Sequence, residues 1–95
     1  MYYQQGDVLL KPAAISAKAV KLDSDLIHKG ENHHHRMRGD FELYQDGQDL
    51  IARCLDDCEL YHEEHKTLVI PKGIYRKGIV MEYDHIDEES RQVLD

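Results

Sequence analysis

Five of the seven histidines in this chain fall into two short clusters. The clusters are the run His33, His34 and His35 and, further along, the pair His62 and His65. In an extended segment alternate side chains share one face, so His33 and His35 can reach one metal ion while His34 points away. The first cluster therefore predicts two imidazole ligands.

The second cluster has a different geometry, because His62 and His65 are three positions apart. This spacing brings two side chains together on a helical turn, or where a strand breaks into a loop. Imidazole with carboxylate suits Zn, Fe, Ni and Mn, and the spacing does not select among them. We predict a mononuclear site for one such divalent ion, with the ligands His33, His35, His62 and His65.

Four carboxylates near the clusters could add a ligand or transfer protons. They are Glu31, Asp40, Glu63 and Glu64. The order H-x-x-H differs from the H-E-x-x-H of zincin-type proteases, so such a protease is not indicated. A metal here predicts either hydrolysis by a metal-activated water, with Glu63 or Glu64 as acid–base partner, or ligand binding without turnover.

Two functions without a metal remain open. In the first, His35 and His62 act as a general acid and base on a phosphodiester or cyclic phosphate. The cations that could face the phosphate are Arg36, Arg38 and Lys72. In the second, the chain is a non-enzymatic interaction protein, whose histidine runs are solvated turns lying apart and whose acidic face and edge strand bind another protein.

Length and composition predict the setting of these residues. A chain of 95 residues suits one core, so we expect a single β domain over residues 1–95. The net charge of −7 repels a phosphate backbone and disfavours nucleic acid as a partner. No apolar run reaches the ~18 residues of a membrane helix and no secretory signal is present, so we expect a cytoplasmic protein. Cys54 and Cys58 are expected to be reduced, partly buried thiols.

The elements that must position the histidines are short strands. Turn residues recur along the chain, and Asp46-Gly47 is the strongest hairpin signal. We predict a first strand over residues 7–11 and another over 58–62, in which His62 ends an inward-facing row. About seven short strands at this spacing predict an all-β barrel or sandwich, and the acidic start of residues 88–94 predicts a short C-terminal helix.

Several segments are shared with a known group of proteins. They are residues 5–10 (QGDVLL), 30–36, 62–65 (HEEH), 71–75 and 82–83. Through them the chain resembles a family of small, functionally uncharacterised bacterial and phage-encoded proteins. The resemblance implies no activity that can be named, but it implies that the two histidine clusters function together. The partners that we consider are a second copy of the chain, in a homodimer, and a small-molecule or protein ligand of unknown identity.

A second resemblance concerns the metal site. The residues that carry this resemblance are His33-x-His35, Asp40, Gly47 and Pro71-x-Gly73. They are similar to the two cupin motifs, with Asp in place of the glutamate, which implies one metal ion inside a small cupin-like barrel. Arg76 stands where the last cupin histidine is expected, so His62 or His65 would have to take that role.

Overall fold

Ten antiparallel β-strands and no helix make up the computed structural model of the chain over its described residues, 1–30 and 32–80. The strands are β1 (Tyr3–Gln5), β2 (Val8–Pro12), β3 (Val20–Leu22), β4 (Leu26–His28), β5 (His35–Arg38), β6 (Phe41–Asp46), β7 (Asp49–Cys54), β8 (Cys58–His62), β9 (His65–Ile70) and β10 (Gly73–Ile79). The all-β prediction is confirmed. The predicted C-terminal helix over residues 88–94 lies outside the described residues, and no helix long and apolar enough to cross a membrane is found in the part described.

The prediction of about seven strands is wrong, and the first hairpin shows why. Gly6 and Asp7 are the two residues of a tight turn, with a φ of 58° at Gly6, and this turn pairs Tyr3–Gln5 with the strand that follows. Gly-Asp is a known hairpin connection, but β1 has only three residues, too few to show an alternating pattern. Strands β3 and β4 are equally short.

The strands form two sheets that do not close into a barrel over the residues described. One sheet has six strands in the order β1-β2-β10-β7-β6-β3, and the other has four in the order β4-β5-β8-β9. Strands β1 and β9, each the last of its sheet, pack against each other without joining one ladder. We call this line between β1 and β9 the open seam. The expected cupin-like closure is therefore absent from this part of the chain.

A single hydrophobic core lies between the sheets. Alternate side chains from both sheets meet there, among them the fully buried Leu10, Leu43 and Leu60. Burying one leucine of this kind stabilises the fold by about 1.5–3 kcal/mol. Cys54 and Cys58 belong to this core as free thiols, each only 2% exposed, so they are more deeply buried than the sequence predicts.

Candidate metal centre

Residues of both histidine clusters meet at one end of the open seam, which is the condition for the metal hypothesis. A cavity of about 260 Å³ lies there, and five of its nine lining residues are histidines. The lining residues are Asp7, His28, Gly30, Asn32, His33, His35, His62, Glu64 and His65. The cavity thus combines five imidazoles with two carboxylates.

Three of the imidazoles form a compact group, which we call the histidine triad: His35, His62 and His65. The ring centroids are 4.3 Å apart for His35 and His62, 4.5 Å for His62 and His65, and 5.9 Å for His35 and His65. Three imidazoles bound to one zinc ion, at about 2.0–2.1 Å from each nitrogen, have ring centroids roughly 5 Å apart. The ring separations of the triad are therefore comparable with those in a mononuclear site.

A hairpin brings His62 and His65 together. Glu63 and Glu64 form a two-residue turn between β8 and β9, and His62 and His65 are cross-strand partners. Residues that face each other across an antiparallel pair have neighbouring side chains, so a spacing of three converges here without a helical turn. His62 is buried at the end of an inward-facing row with Cys58 and Leu60, as predicted.

His65 lies against the first hairpin. A Cβ atom built on Gly6 would be 2.7 Å from Nε2 of His65, closer than any real contact of that kind. Gly6 also has a positive φ of 58°, a conformation that glycine adopts without steric cost. The missing side chain at Gly6 therefore makes room for the His65 ring.

His35 is held in one tautomer by Gln5. Both hydrogens of the Gln5 side-chain amide are used, because Nε2 donates to the carbonyl oxygens of Leu60 and Lys66 at 2.9 Å each. Gln5 Oε1 must then be the acceptor in its 2.8 Å hydrogen bond with His35 Nδ1. His35 consequently carries its proton on Nδ1 and leaves the Nε2 lone pair free.

His62 has the opposite tautomer. Its Nδ1 accepts a 3.0 Å hydrogen bond from the backbone N–H of Glu64, inside the turn. A neutral imidazole that accepts at Nδ1 carries its proton on Nε2. The structure thus places an imidazole with a free Nε2 beside one with an Nε2–H.

His33 joins the cavity from outside the strand. Strand β5 begins at His35, so His33 lies in the preceding bend rather than in one extended segment with His35. Its ring centroid is 5.9 Å from that of His62. Its Nδ1 contacts the carboxylate of Glu63, and its Nε2 lies 3.4 Å from that of Glu64. His33 therefore faces the acidic turn with both nitrogens.

Burial keeps the inner histidines neutral. Desolvation, reinforced by the neighbouring His62 and His65, lowers the pKa of His35 to about 4. Desolvation and the nearby His65 also lower the pKa of His62, and desolvation and Lys77 lower that of His28. Neutral imidazole is the form that binds metal ions.

The possible donor atoms do not converge on a common metal position. Among the described residues, no group of three or more His, Cys, Asp or Glu side chains is arranged to hold a metal ion as the side chains stand. Two contacts oppose convergence: the hydrogen bond at His62 Nδ1 and the pairing of His33 with the turn carboxylates. Metal binding at this site requires those contacts to rearrange.

Other residues that the sequence singles out lie elsewhere. Asp40 does not line the cavity; its carbonyl oxygen accepts from the Leu55 N–H and the Cys58 thiol. Arg36 and Arg38 pair with Asp25 and Glu59 at 2.7 and 3.1 Å on exposed positions, and Lys72 is also outside the cavity. Glu31 lies outside the described residues. Among the described residues, the cavity lining therefore includes none of the cations expected of the phosphodiesterase site.

Sequence reasoning missed three residues of the site: Gln5, Asp7 and His28. Gln5 and Asp7 flank the turn glycine of the first hairpin, and His28 ends β4. The only available signal was the Gly-Asp dipeptide, which places Asp7 in a turn and Gln5 at the end of a strand.

Comparison with known proteins gives a family match. Residues 4–79, most of the chain, match the model of a family described as a domain of unknown function, DUF8820. No curated protein matches the chain, and no solved structure matches it.

Proposed function

The chain belongs to the DUF8820 family, whose function is unknown, and on the geometry of its cavity we propose that it binds one divalent metal ion on the histidine triad. The observation that carries the proposal is the set of ring separations, 4.3, 4.5 and 5.9 Å, in one cavity. Asp7 and Glu64 add negative charge, and the lining residues described include no lysine or arginine. Such a cavity favours a cation over an anion.

His35 is the ligand best prepared for the ion. Its Nε2 is free, while Nδ1 donates to Gln5 Oε1. Histidines that bind metal ions typically donate their other ring N–H to an oxygen acceptor, which fixes the tautomer and orients the ring. Gln5 thus supplies the supporting hydrogen bond that a metal-binding His35 needs.

The remaining ligands need a local change. His62 binds through Nε2 only after its proton moves and the bond from the Glu64 N–H is released. His33, the fourth predicted ligand, must leave Glu63 and Glu64. Both changes involve the same two-residue turn, so a shift of Glu63-Glu64 would free both histidines together.

We further propose that the bound ion supports hydrolysis. A bound divalent ion supplies a Lewis acid that polarises a substrate oxygen or lowers the pKa of water. The Glu64 carboxylate lines the cavity and is the acid–base partner that we propose, whereas Glu63 contacts His33. Imidazole with carboxylate keeps Zn, Fe, Ni and Mn as candidate ions.

One observation favours a metal-free acid–base pair as a second candidate. The opposite tautomers of His35 and His62 place a proton acceptor and a proton donor in neighbouring rings. A pKa of about 4 makes His35 a weak base at neutral pH, however, and Arg36 and Arg38 are engaged elsewhere. The interaction-protein alternative required the clusters to lie apart, so their meeting favours the metal proposal.

Elemental analysis tests the proposal directly. Untagged protein, purified without chelator or metal-affinity resin, is expected to contain about one equivalent of one divalent metal, or to take it up from a Zn, Fe, Ni or Mn solution. The His62→Ala, His65→Ala double variant is expected to lose it. His34→Ala is the matched control, because His34 belongs to the first cluster but does not line the cavity; its Nδ1 accepts a hydrogen bond from the Gly30 N–H.

Three outcomes would contradict the metal site: no metal in the wild type after reconstitution, equal metal in the double variant, or equal loss in the His34→Ala control. Circular dichroism and urea unfolding of each variant separate loss of ligands from loss of the fold. A wild type that stays metal-free but depends on His35 and His62 for catalysis would support the acid–base pair instead.

A further inference from the structure

A second cavity adjoins the histidine site and has the opposite chemistry. Its volume is about 280 Å³, and His28 lines both cavities. Its lining residues are Leu26, Ile27, His28, Lys29, Gln45, Gln48, Leu50 and Lys77. Two lysines and two amides line it, and no carboxylate does within the described chain. In a protein with a net charge of −7, this is a local reversal of charge.

Lys77 is the central cation of this cavity. It lies half-buried on β10, and desolvation lowers its pKa. In the described part of the chain it forms no ion pair, and no carboxylate lines its cavity there. A partly desolvated ammonium without a counter-charge costs stability. Such a cation in a cleft is typical of a site where the ligand supplies the missing charge.

The surroundings of Lys77 suit an oxyanion. Lys29 adds a second ammonium at the exposed rim, and the Gln48 amide adds donors. His28 lines both cavities, so the cavity of Lys77 shares a wall with the histidine site. We propose that this cavity binds the phosphate or carboxylate group of a small molecule, whose remainder reaches across His28 into the histidine site.

The proposal of an anion site depends only on Lys77 and its neighbours. The proposal that one ligand occupies both this cavity and the histidine site rests on the proposed metal function. The ligand class is therefore a small anionic molecule with a polar group placed some way from its charged end. The metal site would receive that polar group, while Lys77 holds the charge.

Titration of metal-free protein with inorganic phosphate and, separately, with acetate tests the anion site. Protein treated with chelator and then desalted is titrated at constant ionic strength, and the amide signals of Lys77 and Gln48 are followed by NMR. We expect saturable shifts with at least one anion, and binding about tenfold weaker in Lys77→Gln, because a hydrogen bond to a charged group is lost. Lys72→Gln is the control: it removes one equal charge from an exposed residue outside the cavity, and its affinity should stay within about twofold of the wild type.

The outcomes separate this inference from the metal proposal. Lack of saturable shifts with both anions, or equal weakening by Lys72→Gln and Lys77→Gln, would overturn the anion site whatever the metal content. Binding that depends on Lys77, in a protein that never takes up metal, would support the anion site and overturn the metal centre. The anion that binds more tightly identifies the charged group of the ligand.

Discussion

Gln5 and His35 are joined by a 2.8 Å hydrogen bond that connects the edge of the six-stranded sheet to the four-stranded sheet. The same Gln5 side chain donates to carbonyl oxygens of β8 and β9. One buried amide therefore makes three hydrogen bonds across the open seam and sets the tautomer of the central histidine.

Replacing Gln5 with leucine tests this role. The carbonyl oxygens of Leu60 and Lys66 and the Nδ1–H of His35 would each lose a buried partner, so we expect the free energy of unfolding to fall by about 2–3 kcal/mol. We also expect His35 to lose its preference for the Nδ1–H tautomer, which long-range ¹H–¹⁵N NMR spectra of the imidazoles report. Gln45→Leu, at an exposed glutamine, should change stability by less than about 0.5 kcal/mol. An unchanged tautomer in Gln5→Leu would contradict the assignment.

The depressed pKa of His35 predicts how stability varies with pH in metal-free protein. The ordinary pKa of 6.5 holds in the unfolded chain and about 4 in the folded one, so between these values the unfolded state binds more protons. Stability is therefore lost as pH falls through this window, by about 2 kcal/mol between pH 7 and pH 5 from His35 alone. Urea unfolding of the wild type and of His35→Gln should differ by this slope. Parallel pH profiles for wild type and His35→Gln would refute the prediction.

Two glycines with nearly the same backbone offer a matched test of the His65 position. Gly6 and Gly47 have φ values of 58° and 65°, but a Cβ would collide with His65 only at Gly6 and meets open space at Gly47. Alanine at either position should cost about 1–2 kcal/mol of stability through backbone strain. Only Gly6→Ala should also displace the His65 ring and weaken metal binding, measured by competition with a chromophoric chelator. Equal metal affinity in the two variants would argue against His65 as a ligand.

The two cysteines are expected to be inert. Burial raises the pKa of Cys54 to about 12 and also raises that of Cys58. Since the thiolate is the reactive form, both thiols should react with a colorimetric disulfide reagent at least about 100-fold more slowly in native protein than in urea. Rapid modification of the native protein at pH 8 would contradict this expectation.

Much of the site was predictable because its residues are close in sequence. The inward direction of His62 follows from the period of two along β8, and the Asp46-Gly47 signal correctly locates the β6–β7 hairpin. The convergence of His62 and His65 was also predictable, although the hairpin that causes it was not. The metal itself stays a prediction.

The parts that sequence reasoning missed depend on distant contacts. Gln5 meets His35 across 30 positions and Leu60 across 55, and no local pattern encodes such pairs. The short strands β1, β3 and β4 gain their conformation from neighbouring strands rather than from their own three residues. The failure of Asp40 and Arg36 to reach the cavity has the same origin, because spacing along the chain does not say which end of a sheet a residue occupies.

The open seam has a mechanical consequence. A main-chain ladder would hold β1 and β9 together through many equivalent bonds, whereas the contacts at this junction include the Gln5 hydrogen bond to the Lys66 carbonyl oxygen and the His65 ring against Gly6. An ion bound by the histidine triad would join β5 to the β8–β9 hairpin, and the hydrogen bond between Gln5 and His35 would connect that ion to the N-terminal hairpin. Metal affinity and the local rigidity of this end of the molecule would then depend on the same contacts. A single substitution among those contacts would change both.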